Sequence, residues 1–105
     1  MVTIDIARDF TKTPGGRYIS EGPFSGEEFR EKYLKPKYLQ AKKANEKLRI
    51  NLDGCYGYPS SFIDESFGGL ARELNDTILL ESIEFISNDQ PGLIDYILQC
   101  MKNNN

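Results

Sequence analysis

Hydrophobic and polar residues alternate in three short stretches of the chain, which is the pattern of β-strands with one buried face. The apolar positions of the first two stretches are Val2, Ile4 and Ile6, and Leu48, Ile50 and Leu52. Residues 82–87 form the third stretch. Residues 17–20, which follow the turn residues Pro14, Gly15 and Gly16, are predicted to form a further short strand. The pattern therefore predicts about four strands.

Three other stretches have the spacing of amphipathic helices. The first helix is predicted to begin after Ser25, whose side chain can cap the free amides while Glu28 reaches back to it. This helix meets Pro36, where it must kink or restart. The second begins at about residue 61 and the third near Pro91. Their predicted buried positions are Ile63, Phe67, Leu70 and Leu74 in the second helix, and Leu93, Ile94, Ile97, Leu98 and Met101 in the third.

The order of elements is therefore β, β, α, β, α, β, α. Strands that alternate with helices indicate an α/β fold, in which a small mixed sheet of about four strands has helices packed against it. We expect the first two strands to form an antiparallel edge. The length fits one domain, residues 1–105. Gly68 and Gly69 weaken the second helix unless its backbone packs closely against a neighbour, and the apolar stripe that continues beyond them favours close packing.

Composition narrows the functional classes. The chain has no histidine, which removes the commonest general base and histidine metal ligands, so neither an enzyme, a metal site nor a cofactor is expected. Cys55 and Cys100 lack metal or redox spacing. Residues 30–49 hold eight basic and two acidic side chains, a pattern that fits a solvated helix face better than a nucleic-acid surface in a chain of net charge −3. No secretory leader or apolar run of membrane-spanning length is present, so we expect a cytoplasmic protein without a membrane partner.

The candidate site follows the central strand, because ligands of open α/β sheets bind beyond the carboxyl ends of the strands. Its candidate residues are Asp53, Tyr56, Tyr58, Ser60, Ser61, Asp64 and Glu65. Arg17 is a further candidate, as a contact for an anion. A purely structural alternative is that Ser61 caps the helix, with Asp64 in its first turn.

Four ordered motifs resemble the STAS-like domain family of unassigned function. The motifs are Pro14-Gly-Gly-Arg-Tyr18, Gly22-Pro23-x-Ser25-Gly26-x-x-Phe29-Arg30, Leu52-Asp53-Gly54 and Ser60-Ser-Phe-x-x-Glu65-x-Phe-Gly-Gly-Leu70. That family is similar to STAS domains, the fold of bacterial anti-sigma factor antagonists. The resemblance implies a mixed sheet with helices packed against it, and a regulatory module that binds a protein partner, such as a histidine-kinase-like ATPase.

In anti-sigma factor antagonists, a partner kinase phosphorylates a serine or threonine at the start of the helix after the central strand. Counting from Asp53, the resemblance implies Ser60 as the phospho-acceptor, with Ser61 beside it. Pro59 and Phe62 depart from the Asp and Gly of the family pattern, and a shifted register would place Glu65 at the acceptor position. The alternative function is a small-molecule or nucleotide-binding domain, or an enzyme, that uses Arg17 and the acidic residues at the strand ends.

Overall fold

The computed structural model describes residues 1–103 of the chain. Its strands are β1 (Val2–Asp5), β2 (Leu48–Asn51) and β3 (Ile83–Ile86). The helices are α1 (Ile6–Asp9), α2 (residues 26–43), α3 (residues 60–74) and α4 (Gly92–Lys102), with a 3₁₀ turn at Ile19–Glu21. Each of the two long central helices is interrupted by a π-helical turn, Arg30–Leu34 in α2 and Asp64–Gly68 in α3. The predicted single domain extends to Asn105, and Asn104 and Asn105 lie outside the described residues.

The sheet is parallel, with the strand order β1-β2-β3. Alternate residues of a strand point to opposite faces, and the register places one apolar set on the same face. That face carries Val2, Leu48 and Ile83 in one row and Ile4, Ile50 and Phe85 in the next. The helices bury this face. The other face is mostly polar: Thr3 is exposed, and Arg49 and Glu84 form an ion pair at 3.9 Å, with Ile86 as its apolar member.

The predicted α/β class is confirmed. The sheet has three strands instead of about four and is parallel instead of mixed, because residues 17–20 do not join it. Side-chain carboxylates accept hydrogen bonds from the backbone N–H groups that a strand would need for pairing. The Arg17 and Tyr18 N–H groups donate to Glu21 at 2.9 and 3.0 Å, and the Ile19 N–H donates to Glu27 at 2.8 Å. The predicted antiparallel edge is therefore absent from the described sheet.

The first strand also ends earlier than the alternation of apolar residues predicts. Asp5 caps a short helix by accepting a hydrogen bond from the Arg8 N–H at 3.2 Å. Ile6 therefore becomes the first residue of α1, where its side chain is buried. The side-chain cap competes with continued strand pairing at this point.

The start of α2 follows the predicted capping pattern with one change. Ser25 Oγ accepts the Glu28 N–H at 3.0 Å, as predicted. The Glu28 carboxylate accepts the N–H of Phe24, at 3.0 Å, instead of that of Ser25. Phe10 packs against the two aromatic residues on either side of this cap, with ring centroids 5.5 Å from Phe24 and 5.2 Å from Phe29.

Helix α2 passes through Pro36 without ending. The π-helical turn lies directly before the proline, and the Lys35 N–H donates to the Arg30 carbonyl, five residues back. The wider turn accommodates a residue that has no N–H and whose ring crowds the preceding turn. The predicted kink is thus a π-helical turn within a continuous helix.

The buried stripe of α3 is confirmed, since Ile63, Phe67 and Leu70 are fully buried. Close packing at the double glycine is confirmed at Gly69, where a Cβ atom would collide with the guanidinium of Arg30. The close neighbour is α2 and not the sheet. Helices α2 and α3 therefore lie against each other at this point.

The far end of α2 is attached to the turn after α3 through one carboxylate. Asp76 accepts hydrogen bonds from the Tyr38 hydroxyl at 2.7 Å and from Lys42 Nζ at 2.5 Å. These two donors lower the pKa of Asp76 to about 2. Burial raises the pKa of Tyr38 to about 12, so the phenol remains a donor.

No helix within residues 1–103 combines the length and the apolar character needed to cross a membrane.

Candidate functional site

The candidate site lies at the carboxyl edge of the sheet, where the loops after the three strands meet the beginnings of the helices. Asp53 holds two of these loops together. Its carboxylate accepts the N–H of Asn88 at 2.8 Å, the N–H of Asp89 at 2.9 Å and the Asn88 side-chain amide at 3.0 Å. The Gly54 N–H donates to Asp89 at 3.2 Å. Since Asp53 bonds the turn after β3 in this way, its role in the fold is structural.

Tyr58 and Cys55 fasten the loop after β2 from the inside. The Tyr58 hydroxyl lies 2.8 Å from the Leu52 carbonyl oxygen and 3.1 Å from Cys55 Sγ, which in turn lies 3.3 Å from the Thr11 carbonyl oxygen. Burial raises the pKa of both groups. The Cys55 side chain is therefore held as a neutral thiol, a form with little nucleophilic character.

Tyr56 lies between these two partly buried residues in the sequence, yet its side chain points into solvent. The residue is 83% exposed, the highest value among the large apolar and aromatic residues of the described chain. Its backbone N–H donates to the Lys12 carbonyl at 2.9 Å, which fixes the position of the loop beneath the ring. The ring is therefore available for contact without any rearrangement of the loop.

The predicted cap at Ser61 is wrong, because α3 begins one residue earlier than predicted. Pro59 occupies the capping position in an extended conformation, with no side-chain hydrogen bond, and the helix starts at Ser60. Ser60 is exposed and Ser61 is half-buried. The first amides of α3 thus have no side-chain acceptor, and Ser60 is the more accessible of the two hydroxyls.

Asp64 and Glu65 lie in the π-helical turn of α3 and form a cluster of ion pairs with arginines from two other segments. Arg17 Nη1 lies 2.6 Å from Asp64 Oδ2 and 3.4 Å from Glu65 Oε1. Arg30 Nη1 lies 2.7 Å from Glu65 Oε2 and 2.6 Å from the Glu65 carbonyl oxygen. The Arg17 guanidinium, helped by Arg72 at 3.5 Å, keeps the pKa of Asp64 below its ordinary value.

This cluster joins the loop before α2, α2 itself and α3. The sequence-based candidates Arg17, Asp64 and Glu65 do come together, whereas Arg30 was not among them. Arg30 lies within one of the four sequence motifs, directly after the buried Phe29, and this position could have identified it.

Tyr96 is a second residue that sequence reasoning missed. It lies on α4, is 43% exposed, and its hydroxyl interacts with the Ser60 hydroxyl. Burial, followed by the neighbouring Cys100, raises the pKa of Tyr96, and the charge of Asp64 adds to the effect. No local pattern in the sequence indicates this contact, because it depends on the packing of α4 against α3.

The arrangement offers little free chemistry at the acidic residues. The carboxylates of Asp53, Asp64 and Glu65 are all engaged by amides or arginines. No group of three or more acidic or cysteine side chains that could hold a metal ion occurs among residues 1–103. The surface depressions of about 370 and 630 Å³ in the described structure are lined by other residues. What remains accessible is a surface formed by Arg17, Tyr56, Ser60, Asp64 and Tyr96, called here the α3 surface.

Comparison with known families gives the class of the protein. A family model, described as a STAS-like domain of unknown function (DUF4325), matches residues 25–93, which is more than half of the chain. The chain belongs to this family of STAS-like domains. No curated protein and no solved structure shows significant similarity to it. The match includes α2, α3 and the loop that carries Tyr56, whereas Arg17 and Tyr96 of the α3 surface lie outside the matched residues.

Proposed function

We propose that this STAS-like domain is a non-enzymatic regulatory module that binds a protein partner through the α3 surface. The observation that carries the proposal is the exposed Tyr56 ring on a loop fixed from beneath, next to the beginning of α3. Tyrosine is enriched among the residues that dominate protein–protein binding energy. Because the backbone beneath the ring is already fixed, a partner that covers the ring does not have to order the loop.

The second support is the position of Ser60. Its hydroxyl is exposed at the first residue of α3, and the helix start has no side-chain cap. A phosphate on Ser60 would lie near the free amides, where the helix dipole favours negative charge. It would also lie one turn from Asp64 and could compete with this carboxylate for Arg17. The proposed partner is a histidine-kinase-like ATPase that binds the unmodified surface and phosphorylates Ser60.

The ion pairs determine how this surface is to be tested. Arg17, Asp64 and Glu65 support the fold, so replacing them would disturb both structure and binding. Tyr56 and Ser60 are exposed, and their side chains can be changed with little effect on the core. Leu39, which is 48% exposed on α2, provides a control outside the α3 surface.

The experiment is affinity capture from the native host with and without ATP, followed by identification of the captured proteins by mass spectrometry. We expect an ATPase of the histidine-kinase type to bind wild type and Leu39→Ala, and to be lost with Tyr56→Ala and with Ser60→Glu. Incubation of that partner with ATP should add one phosphate to wild type and none to Ser60→Ala. Equal capture by wild type and Tyr56→Ala would show that the α3 surface does not bind the partner.

A further inference from the structure

The outer edge of β3 has no pairing partner within residues 1–103. The amides of Leu48 and Leu52 in β2 donate to the carbonyls of Ser82 and Ile86, so alternate residues of β3 face β2. In a parallel ladder the residues between them direct both N–H and C=O to the other side. The outward-facing residues are Ile83, Phe85 and Ser87. Because buried backbone groups are nearly always paired, an unpaired edge of this kind faces solvent or a partner.

The two edges of the sheet differ in how they are protected. At the β1 edge, α1 folds back and the Asp5 N–H is taken by the Asp9 carboxylate at 2.9 Å. Such charged side chains and folded-back segments are the usual means of preventing edge-to-edge pairing. The strand Ile83–Ile86 has no proline or lysine, and its one charge, Glu84, is paired with Arg49. The β3 edge is therefore the one suited to accept another strand.

We propose that a second copy of this chain pairs antiparallel with β3 around a twofold axis at Phe85. In this register Phe85 lies opposite Phe85 of the second copy, and Ile83 lies opposite Ser87. Glu84 then faces Ile86 of the second copy. A shift that placed the two Glu84 side chains opposite each other would be destabilised by like charge. The result is one continuous sheet through both copies.

The charge pattern of α4 supports a second copy as the occupant. Ile97 and Met101 are the buried residues of α4, and Met101 lines a depression together with Ala71 of α3, so this side of α4 faces α3 and the core. The flank of α4 on the other side carries Asp95, Leu98, Gln99 and Lys102, which line a surface depression of about 270 Å³. Antiparallel pairing of β3 makes the two α4 helices antiparallel as well. Asp95 of each copy then faces Lys102 of the other, around an axis between Leu98 and Gln99.

A single twofold axis therefore makes both the β3 edge and the charged flank of α4 self-complementary. Closed twofold dimers are the commonest assembly of identical chains, and they require a surface that complements itself. An unrelated partner would have to match the strand edge and the opposite charges of α4 separately. The α3 surface lies on the other side of α4 and stays open in the dimer, so this inference does not depend on the proposed function.

The first measurement is the solution mass of the whole chain by light scattering after gel filtration. The chain has a mass of 12.0 kDa, and we expect about twice this value at about 100 μM protein. A mass that remained that of one chain at about 1 mM would overturn the proposal.

The second measurement separates edge pairing from other contacts. Ser87→Pro removes an outward N–H and leaves the pairing with β2 intact, whereas the control Ser87→Ala keeps this N–H. Two hydrogen bonds are lost per dimer, so we expect the dissociation constant to rise about tenfold or more for the proline variant only. Circular dichroism checks that each variant is folded. If the proline variant does not fold, Ile86→Glu serves instead, because it places like charges opposite Glu84.

The third measurement tests the α4 contact by charge exchange. Asp95→Lys and Lys102→Glu should each weaken the dimer several-fold, and the double variant should restore it to within about twofold of wild type. We also expect the dissociation constants of the wild-type dimer and of the double variant to depend on salt concentration in the same way. A double variant as weak as the single ones, or a dimer unaffected by Ser87→Pro, would contradict the proposed geometry.

Discussion

The contact between the beginnings of α2 and α3 predicts an unusual response to a glycine-to-alanine substitution. Gly26 is the first residue of α2, and a Cβ atom there would lie 2.6 Å from the Phe62 carbonyl oxygen and 3.1 Å from Glu65 Cβ. Ordinary van der Waals contacts of a Cβ atom begin at 3.4 Å. The Phe62 carbonyl belongs to the backbone of α3 and cannot move away without displacing that helix. Gly26→Ala must therefore separate the two helices.

The size of the effect follows from two opposing contributions. Alanine favours helix and reduces the entropy of the unfolded chain, which gains about 0.5 kcal/mol. Overpacking in a filled contact costs about 1–3 kcal/mol, and the upper half applies because backbone must shift by most of an ångström. We therefore expect Gly26→Ala to lower the free energy of unfolding by about 2 kcal/mol. The corresponding fall in melting temperature is about 10 °C for a domain of this size.

Gly92 is a matched control, because it is also the first residue of a helix. It is exposed, and a Cβ atom there would meet nothing within 4 Å. Gly92→Ala should therefore raise the free energy of unfolding by about 0.5 kcal/mol. Urea denaturation followed by circular dichroism measures both variants under the same conditions. If Gly26→Ala were as stable as Gly92→Ala, the close approach of α2 and α3 would be incorrect.

Three further predictions concern charged and thiol groups. The pKa of Asp76 is lowered to about 2, so its ionised carboxylate stabilises the fold fully above the ordinary pKa of 3.8, and this stabilisation is lost as the pH falls through 2. Asp76→Asn should therefore flatten the loss of stability between about pH 4 and pH 2. An unchanged acid denaturation curve would count against this role of Asp76. Arg30→Met should lower the free energy of unfolding by about 2 kcal/mol, because it leaves the largely buried Glu65 carboxylate without its closest donor. In urea denaturation, the double variant Arg30→Met and Glu65→Met should recover part of this loss. In a Cys100→Ser variant, the raised pKa of Cys55 should make the thiol of the folded protein react with an aromatic disulfide at pH 7.5 about tenfold more slowly than the thiol of the same variant unfolded. Equal rates would contradict the burial of Cys55.

Several elements were predictable because their cause is local. The alternation of apolar residues identifies all three strands, and the apolar stripe identifies the buried side of α3. The Ser25 cap depends on residues three positions apart, so it is visible in the sequence. The four motifs likewise predicted the STAS-like family that the family model confirms.

Other features could not be predicted, because the period of apolar residues does not show when a nearby side chain or a proline takes over a backbone position. The segment 17–20 has the composition of a strand, yet carboxylates from Glu21 and Glu27 occupy its amides. The start of α3 moved to Ser60 because Pro59 takes the capping position in an extended conformation.

The sequence by itself determined the α/β class, the positions of the main helices and of all three strands, and the family. These depend on the period of apolar residues and on short motifs, both of which are local properties of the chain. Only the tertiary structure decided that Glu65 is buried against Arg30, thirty-five positions away, that Ser60 meets Tyr96, and that Tyr56 is exposed while Tyr58 is bound to the loop. The physical reason is that burial and ion pairing depend on which helix faces pack together, and this packing brings distant residues into contact.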